Sequence, residues 1–143
     1  MPLIQVTASQ GTLNKNDQDT LMFRLSNAVL KSEGAPINDP GAQSLVWAYY
    51  NEEPNGAIYV GGENLEQPPI RINVTTPEGA LNDQTRKSLV EEIGVIVDDI
   101  VGPFEGRLNH WAMLHELNEG GWAGGGQIFR LADIQGAMNI KAA

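Results

Sequence analysis

Cysteine is absent from this 143-residue chain, which excludes disulfides and thiolate chemistry. Basic residues are scarce: 9 Lys and Arg against 18 Asp and Glu leave a net charge of −9. So acidic a surface repels phosphate backbones, and nucleic acid is not an expected partner. Long apolar runs are missing too. None approaches the ~18 residues of a membrane-spanning helix, and no charged start leads into an apolar h-region. Neither a membrane span nor a signal peptide is expected, and the cytoplasm is the expected compartment. What is present is ordinary for a folded protein, with 41% hydrophobic and 19% charged residues in a length that suits one domain.

The informative feature is an internal repeat. Shifted by 68 residues, the segment 4–21 falls on 72–89 without a gap, with seven identities: Ile4/Ile72, Val6/Val74, Thr7/Thr75, Gly11/Gly79, Leu13/Leu81, Asn14/Asn82 and Leu21/Leu89. The same shift pairs Val29 with Val97 and Gly34 with Gly102. A shift of 64 pairs Trp47 with Trp111, Glu52 with Glu116, Gly56 with Gly120 and Gly61-Gly62 with Gly125-Gly126. Ordered matches along the whole unit mark a duplication, with copies at about 2–64 and 69–131 and a short C-terminal tail.

Each copy reads as strand, helix, strand, hairpin. Residues 2–8 and 70–76 are rich in β-branched side chains that alternate along one face. Asn14 and Asn82 stand where a helix N-cap is wanted, with Asp17 and Asp83 in the first turns. Leu89, Ile93, Ile96, Val97 and Ile100 form an apolar stripe at helical spacing; Leu21, Leu25, Ala28 and Val29 do so more weakly. Gly34 and Gly102 suit the positions just past the helix ends. Second strands are expected over 44–51 and 108–117, then short strands near 57–60 and 127–131. Two such units predict an α+β fold: duplicated β-α-β units forming a four-stranded sheet, with two helices on one face. The other face would lie bare, which implies oligomerisation.

At this point a resemblance becomes specific. The opening Met1-Pro2-Leu3-Ile4-Gln5-Val6, then Gly11 and a capped helix, resembles the start of the 4-oxalocrotonate tautomerase family. Residues 116–126, with Glu116, Gly120-Gly121, Trp122 and Gly124-Gly125-Gly126, are similar to that family's glycine- and aromatic-containing hairpin. Residues 51–62 repeat the pattern and resemble the matching stretch of the cis-3-chloroacrylic acid dehalogenase family. The resemblance implies a fused member of the tautomerase superfamily, with the fold shared by macrophage migration inhibitory factor. It also implies a homotrimer with sites near subunit boundaries, no cofactor and no metal, and a small carbonyl or enol substrate.

It further implies that Pro2 is the catalytic group. Methionine is readily trimmed before a small residue, leaving Pro2 as a free secondary amine. Burial lowers an amine's proton affinity, and a neutral amine can carry a proton between carbon and oxygen next to a carbonyl. The plain alternative is a proline that only begins an edge strand.

The sequence also departs from the family. Thr12 and Ala80 stand where an arginine follows the glycine of the classic tautomerase, and Pro77 and Ala80 where the dehalogenase has two. Val29 replaces its helix histidine, Met113 its second-strand tyrosine, and Trp47 and Trp111 a further arginine. Without these clamps, dehalogenation or hydration of a small acid is not expected. The expected pocket is aromatic and apolar, suiting a neutral or aromatic enol.

Trp122 is expected to wall it. Trp111, Met113 and His115 share a strand face with the family's site residues, while core packing remains open for Trp111, and core or interface packing for Trp47. Thr75 and Thr76 are expected beside Pro2, where hydroxyl and N–H groups would polarise a carbonyl. Arg107, or Arg130 from a neighbouring subunit, would supply a replacement cation. His110 and His115, five apart, face opposite sides and make no metal pair. The expected activity is keto–enol tautomerisation. The rivals are cofactor-free decarboxylation of a 3-oxo acid and a catalytically silent binding or assembly protein on the same fold.

Overall fold

A computed structural model describes residues 1–141. In chain order the elements are β1 (Leu3–Ser9), α1 (Lys15–Ser32), α2 (Pro40–Ser44), β2 (Trp47–Glu53), β3 (Tyr59–Val60), β4 (Glu63–Asn64), β5 (Ile70–Pro77), α3 (Asp83–Ile100), β6 (His110–Leu117), β7 (Ala123–Gly124), β8 (Gln127–Ile128) and α4 (Leu131–Ala137). The main sheet has the order β2-β1-β5-β6. Strands β1 and β2 are parallel, as are β5 and β6, and the two pairs meet through antiparallel β1 and β5 with Leu3 opposite Thr75. This is the expected α+β arrangement, two strand–helix–strand units joined edge to edge.

The long helices begin as their sequences dictate. The Asn14 side chain accepts from Asp17 N at 2.8 Å, and Asn82 from Thr85 N at 2.9 Å. Helix α1 stops at Glu33, and Gly34 follows with φ +80°, a left-handed conformation that suits glycine. One face of the sheet carries Ile4, Val6 and Ala8 of β1 with Ile70, Ile72 and Val74 of β5. These pack against Leu21, Leu25 and Val29 of α1 and Leu89, Ile93 and Val97 of α3 to form the main core. Burying side chains of this size stabilises the fold by about 1.5–3 kcal/mol each.

The opposite face has no covering layer among the described residues. Trp47 and Tyr49 of β2 and Trp111 of β6 are exposed on it, at 61%, 50% and 66%. By register they share that face with Leu3, Gln5, Thr7, Arg71, Asn73, Thr75, Met113 and His115.

Two helices depart from the expected outline. Helix α2 begins where Asp39 accepts from Ala42 N at 2.8 Å and Pro40 takes the first helical position. Residues expected as a tail include α4, whose Ile134, with Met138 just beyond its end, is buried. Leu30, Ala35 and Ala42 join these two in a second cluster, against which Met1, Leu45, Trp122 and Phe129 pack. Consequently Leu131, expected at the end of a strand, instead opens a helix. The other strands start or end within three residues of their expected bounds, the largest shift being at Trp47, which begins β2 in place of Ser44.

Candidate functional site

The second cluster is the floor of a cavity of about 360 Å³ at one end of the sheet. Pro2 and Leu3 enter it from β1, Leu45 and Trp47 from the start of β2, and Thr75 and Leu117 from the ends of β5 and β6. Trp122 and its glycine neighbours close it from the β7–β8 hairpin. Topology explains the assembly. Since β2 runs parallel to β1, it starts at Pro2's end, and the Trp47 N–H donates to the Pro2 carbonyl at 3.2 Å. Since β5 and β6 run antiparallel to β1, they finish there. Among the described residues, no Asp, Glu, His, Lys or Arg lines this cavity.

Pro2 is buried, with Met1 ahead of it. The Met1 ammonium donates to Met138 Sδ at 2.6 Å and lies 3.6 Å from Glu33 Oε2. Burial lowers the terminal amine from its ordinary value, an effect the Glu33 carboxylate opposes. Glu33 is in turn pushed up by its own burial, with the ammonium opposing. Its Oε1 has no hydrogen-bond partner.

Of the residues expected at the site, Pro2, Thr75 and Trp122 meet in this cavity. Thr76 does not. It is 1% exposed on the helix-facing side, because β5 continues through it and successive side chains alternate. Trp111 lies at the opposite end of the sheet, opposite Arg71, because β6 starts beside Ile70 rather than beside Pro2. Trp47 takes the place intended for it. Met113 sits opposite Asn73 in mid-sheet on the open face. His115 lies opposite Thr75, at the right end but on the edge strand and outside the cavity lining.

Arg107 is also at the far end. It stacks 4.2 Å over the Phe104 ring and donates to the Gln67 carbonyl at 2.6 Å. Arg130 is at the N-cap of α4 on the outside of the Pro2-end hairpin, close to Gly120 and not lining the cavity. Glu119 accepts from Leu131 N at 3.0 Å and so caps the same helix.

Trp111 and Arg107 line a second cavity of about 730 Å³, which the duplication relates to the first. Thr7 stands for Thr75, Ile70 for Pro2, Arg71 for Leu3, Glu53 for Leu117 and Ile58 for Trp122. There the chain runs straight through, and Ile70 N donates to the Asn109 carbonyl at 3.0 Å. On the opposite side of β6, the His110 Nδ1 is 2.6 Å from Asn109 Oδ1, and burial lowers its proton affinity while Asp98 opposes. Among the described residues no group of three or more His, Asp or Glu is placed to hold a metal, and no helix is long and apolar enough to cross a membrane.

Sequence reasoning missed Glu33, Trp47 as a wall, and the floor built by α2 and α4. Two signals were available. Asp39 before Pro40 is a helix-start pattern, and a carboxylate at the end of α1 stands against the helix dipole.

No family model matches the chain, and no curated protein does. Solved structures do. A fused 4-OT, described as a wild-type asymmetric trimer, superposes with a TM-score of 0.73 at 20% identity, covering 88% of this chain and 94% of that one. Pt0534 inactivated by 2-oxo-3-pentynoate gives a TM-score of 0.73 at 22% identity, with the same coverage. N1, a member of the cis-3-chloroacrylic acid dehalogenase family, gives 0.72 at 17% identity, covering 88% of this chain and 82% of that one. The chain therefore has the fold of the fused 4-OT and cis-3-chloroacrylic acid dehalogenase proteins.

Proposed function

We propose that this protein is a cofactor-independent tautomerase that moves a proton between carbon and oxygen of a small, preferably aromatic, carbonyl compound. Its base is the nitrogen of Pro2, freed by removal of Met1. The observation that carries this reading is the apolar cavity at the sheet end where Pro2, Thr75, Trp47 and Trp122 converge. The Met1 amine is already lowered by its surroundings, and a Pro2 amine one residue along would share that burial. An amine neutral near pH 7 takes a proton from the carbon beside a carbonyl and returns it at the enol oxygen, or the reverse. Thr75 is the hydroxyl in reach of the developing enolate. The tryptophans supply contact area for an unsaturated or aromatic substrate.

The exposed sheet face, with Trp47, Tyr49 and Trp111 on it, supports assembly into a homotrimer, the state described for the fused 4-OT above. Decarboxylation of a 3-oxo acid has less support, because it asks for a cation beside Pro2, and Arg107 is at the other end while Arg130, on the outside of the Pro2-end hairpin, does not line the cavity. The binding-protein reading has one observation in its favour: with Met1 in place, Pro2 nitrogen is a non-basic amide and the Met1 amine is engaged by Met138 and Glu33.

One experiment separates the two. Protein treated with a neutral aryl alkynyl ketone, which adds to a free amine, is digested and its N-terminal peptide weighed. The tautomerase reading expects a peptide that begins at Pro2 and carries the adduct, with loss of ketonisation of an aryl enol. A peptide beginning with unmodified Met1 favours the binding protein.

A further inference from the structure

Glu33 is an odd residue to find where it is. It closes α1 at the C-cap, where a carboxylate opposes the helix dipole, and its side chain is only 1% exposed. A buried carboxylate is costly unless paired, and this one is half paired: Oε2 faces the chain's terminal nitrogen at 3.6 Å and Oε1 faces no donor. The terminal ammonium is the charge that acts on it. Met138 from α4 offers only a thioether, and the carboxylates of Asp39 and Asp133 are occupied at Ala42 N and Arg130 N.

The duplication supplies an internal control. The same C-cap in the second copy, 68 residues on, is Val101. That copy has no terminal amine, since Ile70 follows Pro69 by an ordinary peptide bond. The carboxylate goes with the amine and is absent where the amine is absent.

Bond lengths hold Pro2 nitrogen within about 3.7 Å of Met1 nitrogen, and so on the order of 7 Å or less from Glu33 Oε2. Met1 stands between this carboxyl and the cavity it lines. Its removal would take away the residue that separates the two.

Resting on the reading of Pro2 as the base, we propose that Glu33 is the second proton carrier of the site and that the pair takes neutral ketones and aldehydes rather than carboxylic acids. In the forward step Pro2 nitrogen takes the proton from the carbon next to the carbonyl, and that C–H bond breaks. The C–H electron pair becomes the C=C bond, and the carbonyl π pair takes the proton of the Glu33 carboxyl to make the enol O–H. The enzyme is left with a Pro2 ammonium and a Glu33 carboxylate, and transfer of one proton between them restores it. No oxidant or co-reactant enters. Burial raises the proton affinity of Glu33, an effect the terminal ammonium opposes. A carboxylate substrate would meet an acidic wall and no side-chain cation in this cavity.

The test is Glu33→Gln in protein whose terminus begins at Pro2, with the proline nitrogen titrated by NMR and the turnover of a neutral aryl ketone followed. The variant is expected to lower the nitrogen's pKa, because a carboxylate beside the amine favours its charged form and the pair titrates together. It should cut kcat about 100-fold or more with KM changed less than about threefold. Glu33→Asp should keep part of the titration shift and of kcat, which a merely structural role would not. An unchanged nitrogen titration in folded Glu33→Gln overturns the proposal, as does unchanged kcat with an unchanged pH profile. Wild-type protein without turnover would instead remove the tautomerase reading, while the titration still decides whether Glu33 and Pro2 share a proton.

Discussion

The two ends of the sheet carry the same cavity built twice, and they differ in what each can do. At the Pro2 end, Leu3, Leu117 and Trp122 make an apolar chamber around the start of the chain. At the other end, Arg71, Glu53 and Ile58 hold the same positions, Arg107 adds a second guanidinium, and Ile70 replaces Pro2 in an unbroken backbone. A backbone amide is neither a base nor an acid near neutral pH, so the more polar cavity has lost the group the proposed chemistry needs. On the proposed chemistry the working end is the one that carries Pro2, and polarity alone is a poor guide to it. The fold tolerates the division because both ends rest on one core, with Ile4, Val6, Ile72 and Val74 at its centre.

The sharpest way to break this contrast is at Pro2. Pro2→Leu, before which Met1 is retained, should reduce ketonisation kcat by ~10²–10⁴, the usual worth of a positioned general base. Ile70→Val, its counterpart, should leave kcat within about twofold. Steady-state rates on the same enol check both.

The floor comes next. The first cavity rests on the cluster that α2 and α4 build. Ile134→Ala should cost about 2–5 kcal/mol in denaturant titrations, the range for a buried large-to-small change, and should raise KM by loosening Trp122. Of intermediate size is the wall. Trp47→Ala should raise KM for an aryl substrate about tenfold, equivalent to ~1.4 kcal/mol of lost contact, while Trp111→Ala at the other end should leave KM near wild type. Equal effects of the two would undo the assignment of Trp47 to the site.

The smallest effect expected is from pH at the second end. Burial depresses His110, so the native state binds its proton less readily than the unfolded chain does. Stability contributed by neutral His110 is present above its ordinary range and is lost as pH falls through that range. His110→Gln should flatten the decline in melting temperature between pH 7 and roughly pH 5. A decline unchanged in the variant would assign it to carboxylates instead.

Much of this molecule was legible in its sequence. The repeat, the Asn14 and Asn82 caps, the glycines after each long helix and the alternating strands carry the main sheet and its two covering helices. The bare face followed from counting layers. Trp111 shows where the reading failed. Alternation correctly gives its face, but face does not fix the end of the sheet. Only the direction of β6 relative to β1 does that, and it hands the role to Trp47. Thr76 failed for a related reason: it follows Thr75 directly in β5, so alternation turns it to the helices. Short helices such as α2 and α4 form because tertiary packing rewards them, and their local patterns are too brief to stand out. Glu33 was hidden for a different reason. A single acidic residue between Ser32 and Gly34 reads as solvated until the folded chain brings its own terminus to it.

The most direct test of the central claim is the titration of the terminal nitrogen in protein purified from cells, with the first residue identified by mass. The account predicts that residue to be Pro2, with an amine titrating near or below about pH 7, as desolvation requires. A first residue of methionine with no titrating proline, or a proline amine titrating at about 9 or above, would contradict it.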